Sequence, residues 1–143
     1  MTIPDVNLLI YAYNVDFARH DTAREWWEQA LRGDHGEIGL AWVAILGFVR
    51  VTTNRGLLIR PIGVEQATAI VRSWLRQEIV RLVVPGERHA DLVLGLLEEA
   101  GTAGNLTTDA HLAALALEYR ARIATTDADF SRFPGLKWFN PLR

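Results

Sequence analysis

The stretch Thr108-Asp109-Ala110-His111-Leu112-Ala113-Ala114-Leu115-Ala116-Leu117-Glu118-Tyr119-Arg120-Ala121-Arg122-Ile123-Ala124-Thr125 reads as a helix followed directly by a strand. Leu112, Ala113 and Ala116 stand three, four and seven places after Asp109, the spacing of one helix face. Thr108 is expected to cap a helix over Asp109–Arg120, with Arg122–Thr125 the strand. Working outward, the same alternation recurs. Ile79–Val84 is a β-branched run stopped by Pro85-Gly86, and Glu87–Ala100 reads as a helix closed by Gly101. Val64–Leu75 has helical spacing after a Gly56–Gly63 loop, Ala41–Thr53 reads as a helix, and Glu37–Leu40 as a short strand. Asp21-Thr22 is expected to cap a helix running to about Arg32. Val6–Tyr13 is too densely apolar for an exposed helix. Thr2–Asp5 opens the chain as a strand in which Pro4 is an awkward resident for a central position, and Leu136–Phe139 closes it before Pro141. Strands alternating with helices predict an α/β fold, a three-layer α/β/α sandwich with a central parallel sheet. No linker, composition shift or internal repeat divides residues 1–143, so one domain is expected.

Half of the 143 residues are apolar, enough for one core. The longest apolar stretches, Leu40–Val49 and Leu112–Leu117, are too short or interrupted to span a bilayer, and the N-terminus lacks the pattern of a secretory signal. With no Cys there is no disulfide framework, and a cytoplasmic location is expected. A net charge of -2 argues against a general nucleic-acid glue. It leaves open a phosphodiester substrate held through a bridging metal.

Without Cys, and with four scattered His, carboxylates are the main ligand chemistry present. They suit hard cations such as Mg²⁺ or Mn²⁺. In parallel sheets the active crevice lies beyond the carboxyl ends of the strands. Asp5 follows the first strand, Asp127 follows Arg122–Thr125, and Asp109 starts an inward-facing helical stripe pointing at the same rim. A plainer reading competes. Acids favour the first turn of any helix, which accounts equally for Asp109 and Asp127, and Asp129 can open the turn at Ser131–Gly135. Asp5 lies between apolar segments, where a carboxylate needs hydrogen bonds or a cation.

Asp5-Val6-Asn7-Leu8-Leu9-Ile10-Tyr11-Ala12, Gly47-Phe48-Val49-Arg50-Val51-Thr52-Thr53-Asn54, Thr107-Thr108-Asp109-Ala110-His111-Leu112, Thr125-Thr126-Asp127-Ala128-Asp129-Phe130, Phe133-Pro134-Gly135-Leu136 and Asn140-Pro141 together resemble the PIN-domain ribonucleases. More narrowly, they resemble the VapC toxins of bacterial toxin–antitoxin pairs, in the style abundant in mycobacteria. The resemblance implies a Mg²⁺- or Mn²⁺-dependent endoribonuclease that cuts structured RNA such as tRNA or ribosomal RNA, arrests translation and is silenced by a VapB antitoxin. It implies Asp5, Asp109 and Asp127 as catalytic, metal-binding acids, Asp129 as a further ligand, and Asn7 and Thr126 as hydrogen-bonding supports. The implied products carry a 5′-phosphate and a 3′-hydroxyl. Many relatives have Glu immediately before the position of Phe48. Here that residue is Gly47, and no acid occurs between Glu37 and Glu65, which implies one firmly held ion.

Trp26, Trp27, Trp42 and Trp74 fall on expected inner stripes, as core or as an interface with an antitoxin or a second copy in a homodimer. His111 reads as a helix-surface residue and Arg50 as a salt-bridge partner. Two other functions compete: a catalytically weak PIN-fold module that binds RNA or antitoxin, and a phosphotransfer domain. The latter wants a second Asp where Asn7 stands.

Overall fold

The computed structural model describes Met1–Arg143. In chain order it contains β1 (Thr2–Pro4), α1 (Val6–Tyr13), α2 (His20–Leu31), β2 (Ile38–Ala41), α3 (Trp42–Thr52), α4 (Val64–Leu75), β3 (Val80–Val83), α5 (His89–Ala100), α6 (Thr107–Tyr119), β4 (Arg122–Ala124) and β5 (Trp138–Phe139). Two 3-10 turns, Gly104–Leu106 and Ala128–Arg132, flank α6 and β4. The sheet order is β3-β2-β1-β4-β5, and every pair is parallel.

Alternation along the strands divides the core in two. Ile38, Leu40 and Ala124 point into one cluster with α1, α2, α3 and α4. Ile3, Ala41, Val83 and Ile123 point into the other with α5 and α6. The result is the expected α/β/α sandwich, and no helix is long and apolar enough to cross a membrane. The chain adds strands on one side of β1 through β3, then on the other side with β4 and β5. The order therefore reverses between β1 and β4, where open parallel sheets form a crevice beyond their carboxyl ends.

Pro4 does sit in the central strand. Thr2 donates its N–H toward β2, to the Glu37 carbonyl at 2.8 Å, whereas Asp5 donates toward β4, to the Ala124 carbonyl at 2.8 Å. By alternation the missing N–H of Pro4 faces β2, and β1 pairs with β2 only at Thr2↔Ile38. The proline thus ends one ladder and leaves the other, Thr2 to Pro4 against Arg122 to Ala124, intact.

Two expected caps are not made. Helix α6 begins at Thr107, running on from the 3-10 turn whose Leu106 is buried, and neither Leu106 nor Thr108 makes a side-chain cap. Helix α2 begins at His20 rather than at a cap on Asp21 or Thr22. The buried His20 ring, 2.7 Å from the Tyr11 carbonyl, fixes that start from outside the helix. Burial overrides local capping preference at both ends. Where φ is decisive the expectation holds: Gly101, at φ +73°, closes α5.

Tertiary contacts also divide the tryptophans. Trp27 and Trp74 are fully buried and Trp26 nearly so, while Trp42 is 48% exposed, against the sequence expectation. Trp74 packs its ring 4.8 Å from Phe48 and 5.5 Å from Trp27, and its indole N–H donates to the Tyr13 hydroxyl at 2.8 Å. Trp74→Ala should therefore cost about 3–5 kcal/mol in urea denaturation. Trp42→Ala should cost much less, and equal losses would contradict this packing.

Candidate active site

Asp5 leaves β1 at the point where the order of the sheet reverses. It is the N-cap of α1, with Oδ1 accepting from the Val6 N–H at 2.8 Å. Its Oδ2 accepts from the Thr125 hydroxyl at 2.8 Å. Because Pro4 pairs with Ala124, the next residue on each strand is Asp5 and Thr125, so register alone brings them level. Thr125 is fully buried and Asp5 is 8% exposed. Burial pushes the Asp5 carboxyl above its usual range, the Thr125 and Val6 contacts oppose that, and the charge of Asp127 adds to it.

The same threonine holds the next acid. Its Oγ1 accepts from the Asp127 N–H at 3.0 Å, and Asp127 Oδ1 accepts from the Asp129 N–H at 2.8 Å. Asp127 therefore does cap the Ala128–Arg132 turn, as the plainer reading held, while its charge still acts on Asp5 and Asp109. A hydroxyl two residues before the acid, able to accept from that acid's backbone N–H, is a local signal readable in Thr125-Thr126-Asp127.

Asp109 occupies the first turn of α6, half-buried. A helix N-terminus should favour its charged form. Its pKa is instead raised from 3.8 to about 7, by burial first and then by the charges of Asp5, Asp127 and Asp129. Four acids from three parts of the chain thus share one electrostatic environment. Asp5 and Asp109 also line one small crevice, of about 30 Å³, with Val6, Val43, Ala44 and Leu112.

Asn7 and Thr126, expected as supports, hydrogen-bond no acid, and Thr125 takes that role. Asn7 lies two residues beyond Asp5, and positions two apart on a helix do not face each other. Thr126 sits in the bend after β4, beyond the strand register that levels Thr125 with Asp5. His111 faces away from the acids, its Nδ1 2.9 Å from Nε2 of His89, whose other ring nitrogen is 3.3 Å from Glu118. It joins α6 to α5. Arg50 is exposed in the last turn of α3 and forms no ion pair, contrary to the expected salt bridge.

Gly47 has a packing explanation. A Cβ there would stand 3.1 Å from Cγ2 of Val6, tight enough to press on the residue whose N–H holds Asp5. Helices α1 and α3 meet closely at this point, beside the crevice.

The donors are all carboxylate oxygens that repel one another, a set that fits a hard divalent cation. No three acidic or histidine side chains are arranged to close on one ion. A cation here would take one or two carboxylates and complete its shell with water, the habit of Mg²⁺.

Comparison with known proteins agrees with this architecture. The PIN domain family model matches residues 2–136. Ribonuclease VapC33 of Mycobacterium tuberculosis (strain H37Rv) is 48% identical over 143 residues, covering 100% of this chain and 99% of that protein. Ribonuclease VapC37 of the same strain is 45% identical over 141 residues, covering 99% and 97%. In fold, the chain is similar to the structure of VapBC2 from Rickettsia felis bound to a DNA fragment from their promoter. The TM-score is 0.70 at 19% identity, with 97% of each chain covered. The sheet that reverses its order beside Asp5, and the near-complete alignment with two ribonucleases, lead to one assignment: the chain belongs to the PIN-domain family, among its VapC ribonucleases.

Proposed function

We propose that this ribonuclease is an endoribonuclease toxin that cuts structured RNA, tRNA or ribosomal RNA, with Mg²⁺ or Mn²⁺ held by one or two carboxylates of the set Asp5, Asp109, Asp127 and Asp129 and otherwise by water. Ribonucleases of the PIN family generally depend on a divalent metal. The observation that carries the reading is the meeting of Asp5 and Asp109 in one crevice, with Asp127 tied to Asp5 through Thr125; burial first and then the neighbouring charges raise the Asp109 pKa to about 7. Such a cluster, alone, holds a proton near neutrality and repels a phosphodiester.

When bound, the cation supplies a water of lowered pKa and offsets charge developing at phosphorus. The protein's own residues prepare the place. With both oxygens engaged, Asp5 is fixed in one rotamer and presents its remaining lone pairs in one direction. Asp127 is oriented by the Asp129 N–H, leaving Oδ2 free of side-chain and backbone donors. With a pKa of about 7, Asp109 is about half protonated at neutral pH, and a bound cation would favour its charged form. Val6, Val43 and Leu112 supply the apolar lining around Asp5 and Asp109.

Residues 1–143 act as one domain in this reading, in the cytoplasm, as a homodimer paired with a VapB-type antitoxin. The VapBC2 pairing of the Rickettsia felis fold neighbour supports the partner, and exposed Leu57 and Ile59, at 54% and 88%, supply apolar surface for contacts.

Asp5→Asn and Asp109→Asn should each reduce metal-dependent cleavage of total RNA by on the order of a hundredfold or more, with circular dichroism unchanged. Full activity in either variant would refute the assignment. Thr125→Val should lower cleavage about 10–100-fold. It should also move the acidic limb of the pH–rate profile to higher pH, because the lost hydroxyl contact was lowering the Asp5 pKa. An unshifted limb would remove Thr125 from the site.

The raised Asp109 pKa also sets a stability trend. Between 3.8 and about 7 the folded state binds a proton that the unfolded chain lacks. That stabilisation is complete below 3.8 and is lost as pH rises through about 7. The Tm of metal-free protein should therefore fall across this window. Asp109→Asn should flatten the fall, and added Mg²⁺ or Mn²⁺ should raise Tm at pH 8 only when Asp109 is present.

A further inference from the structure

Trp42 is the residue whose placement the packing of the core does not explain. Trp26, Trp27 and Trp74 are buried, yet Trp42 leaves nearly half its surface in water and has no aromatic partner. It is the first residue of α3, directly after β2, so it stands at the carboxyl edge of the sheet where the acids gather. The next two residues, Val43 and Ala44, line the crevice with Asp5 and Asp109.

Trp42 also heads a groove. Ile45, Leu46 and Val49 follow it at helical spacing, and Thr68 and Arg72 of α4 form the opposite wall, enclosing about 280 Å³. The lining holds one charge, Arg72, which is exposed and pairs with no acid. A flat indole at the sheet edge that carries the acids, with an unopposed guanidinium in the same groove, matches one nucleotide: a base to stack and a phosphate to neutralise.

We propose that Trp42 is the stacking platform for an unpaired nucleobase flanking the scissile phosphate of the RNA substrate, and that Arg72 binds the backbone of that nucleotide. This rests on the ribonuclease reading and adds to it a substrate feature. The substrate enters single-stranded at the site, as a loop, bulge or end, because a base inside a duplex cannot reach an aromatic face. The indole is a binding residue, and the acids remain the chemistry.

The test measures binding apart from cleavage. Anisotropy of a fluorescein-labelled 20-nucleotide RNA of mixed sequence is followed in the Asp5→Asn background with Mg²⁺ present. Trp42→Leu should weaken affinity about tenfold or more, while Trp42→Phe, which keeps an aromatic face, should stay within about threefold of the parent. Arg72→Gln should reduce the slope of log affinity against log salt by about 0.7, one phosphate on a single strand. In active protein, Trp42→Leu should raise KM with little change in kcat.

Equal affinity for the parent and for Trp42→Leu would overturn the proposal. If Trp42→Leu then also changed oligomeric mass, the groove would be a protein-docking face instead. Should Trp42→Leu fail to fold by circular dichroism, Arg72→Gln decides, and an unchanged salt slope in that variant overturns the proposal. Total RNA incubated with wild type and with Asp5→Asn keeps the two ideas apart. No cleavage by wild type sinks the ribonuclease reading and the stacking with it, whereas normal cleavage with an indifferent Trp42 sinks the stacking alone.

Discussion

A buried hydroxyl joins the two strands between which the sheet reverses its order. Thr125 donates to the carboxylate that ends β1 and accepts from the backbone N–H that leads Asp127 away from β4. Both contacts follow from the pairing of Pro4 with Ala124, which brings Asp5 and Thr125 level. A slip of one residue would turn Thr125 to the other face and leave Asp5 buried with a single N–H for company. The position of the acids therefore depends on strand register before it depends on any ligand. Pro4 sharpens that register by ending the ladder with β2 while leaving the one with β4 whole.

The arrangement opposes stability. Helix α6 delivers Asp109 into the field of three other acids, and the helix N-terminus does not offset the repulsion. The two apolar clusters on either face of the sheet, anchored by Phe48, Trp74, Ile3 and Phe130, hold the backbone in place regardless. Strain concentrated at a crevice and supported by packing elsewhere is a common pattern at functional sites. Gly47 belongs to the same economy of space. Its missing side chain lets α3 approach Val6, and Val6 carries the N–H that orients Asp5.

Around this centre the two faces of α3 differ in character. Its buried face, Ala44, Ile45 and Phe48, joins the core, while Trp42 and Leu46 turn outward. Hydrophobic spacing identifies a helix but not how many neighbours will cover it. Helix α4 lines a groove along α3 but leaves Trp42, at the carboxyl edge of the sheet, half in water. The His89–His111 contact lies on the other side of the sheet, between α5 and α6, and locks the helix that carries Asp109.

Periodicity in the sequence determined the alternation of strands and helices, the three layers, and the positions of Asp5, Asp109 and Asp127 at strand and helix ends. These are local properties: side-chain spacing, β-branched runs, and Gly or Pro at boundaries, all set by a few neighbouring residues. Tertiary structure alone decided that Thr125 rather than Thr126 or Asn7 supports the acids, that Pro4 is tolerated at the centre of the sheet, and that Trp42 stays in water. It also decided the start of α6, where burial of Leu106 outweighed a cap at Thr108. Each of these depends on a residue distant along the chain, with 120 positions separating Asp5 from its hydroxyl donor. A backbone pattern cannot express such a contact until register and packing bring the two partners together.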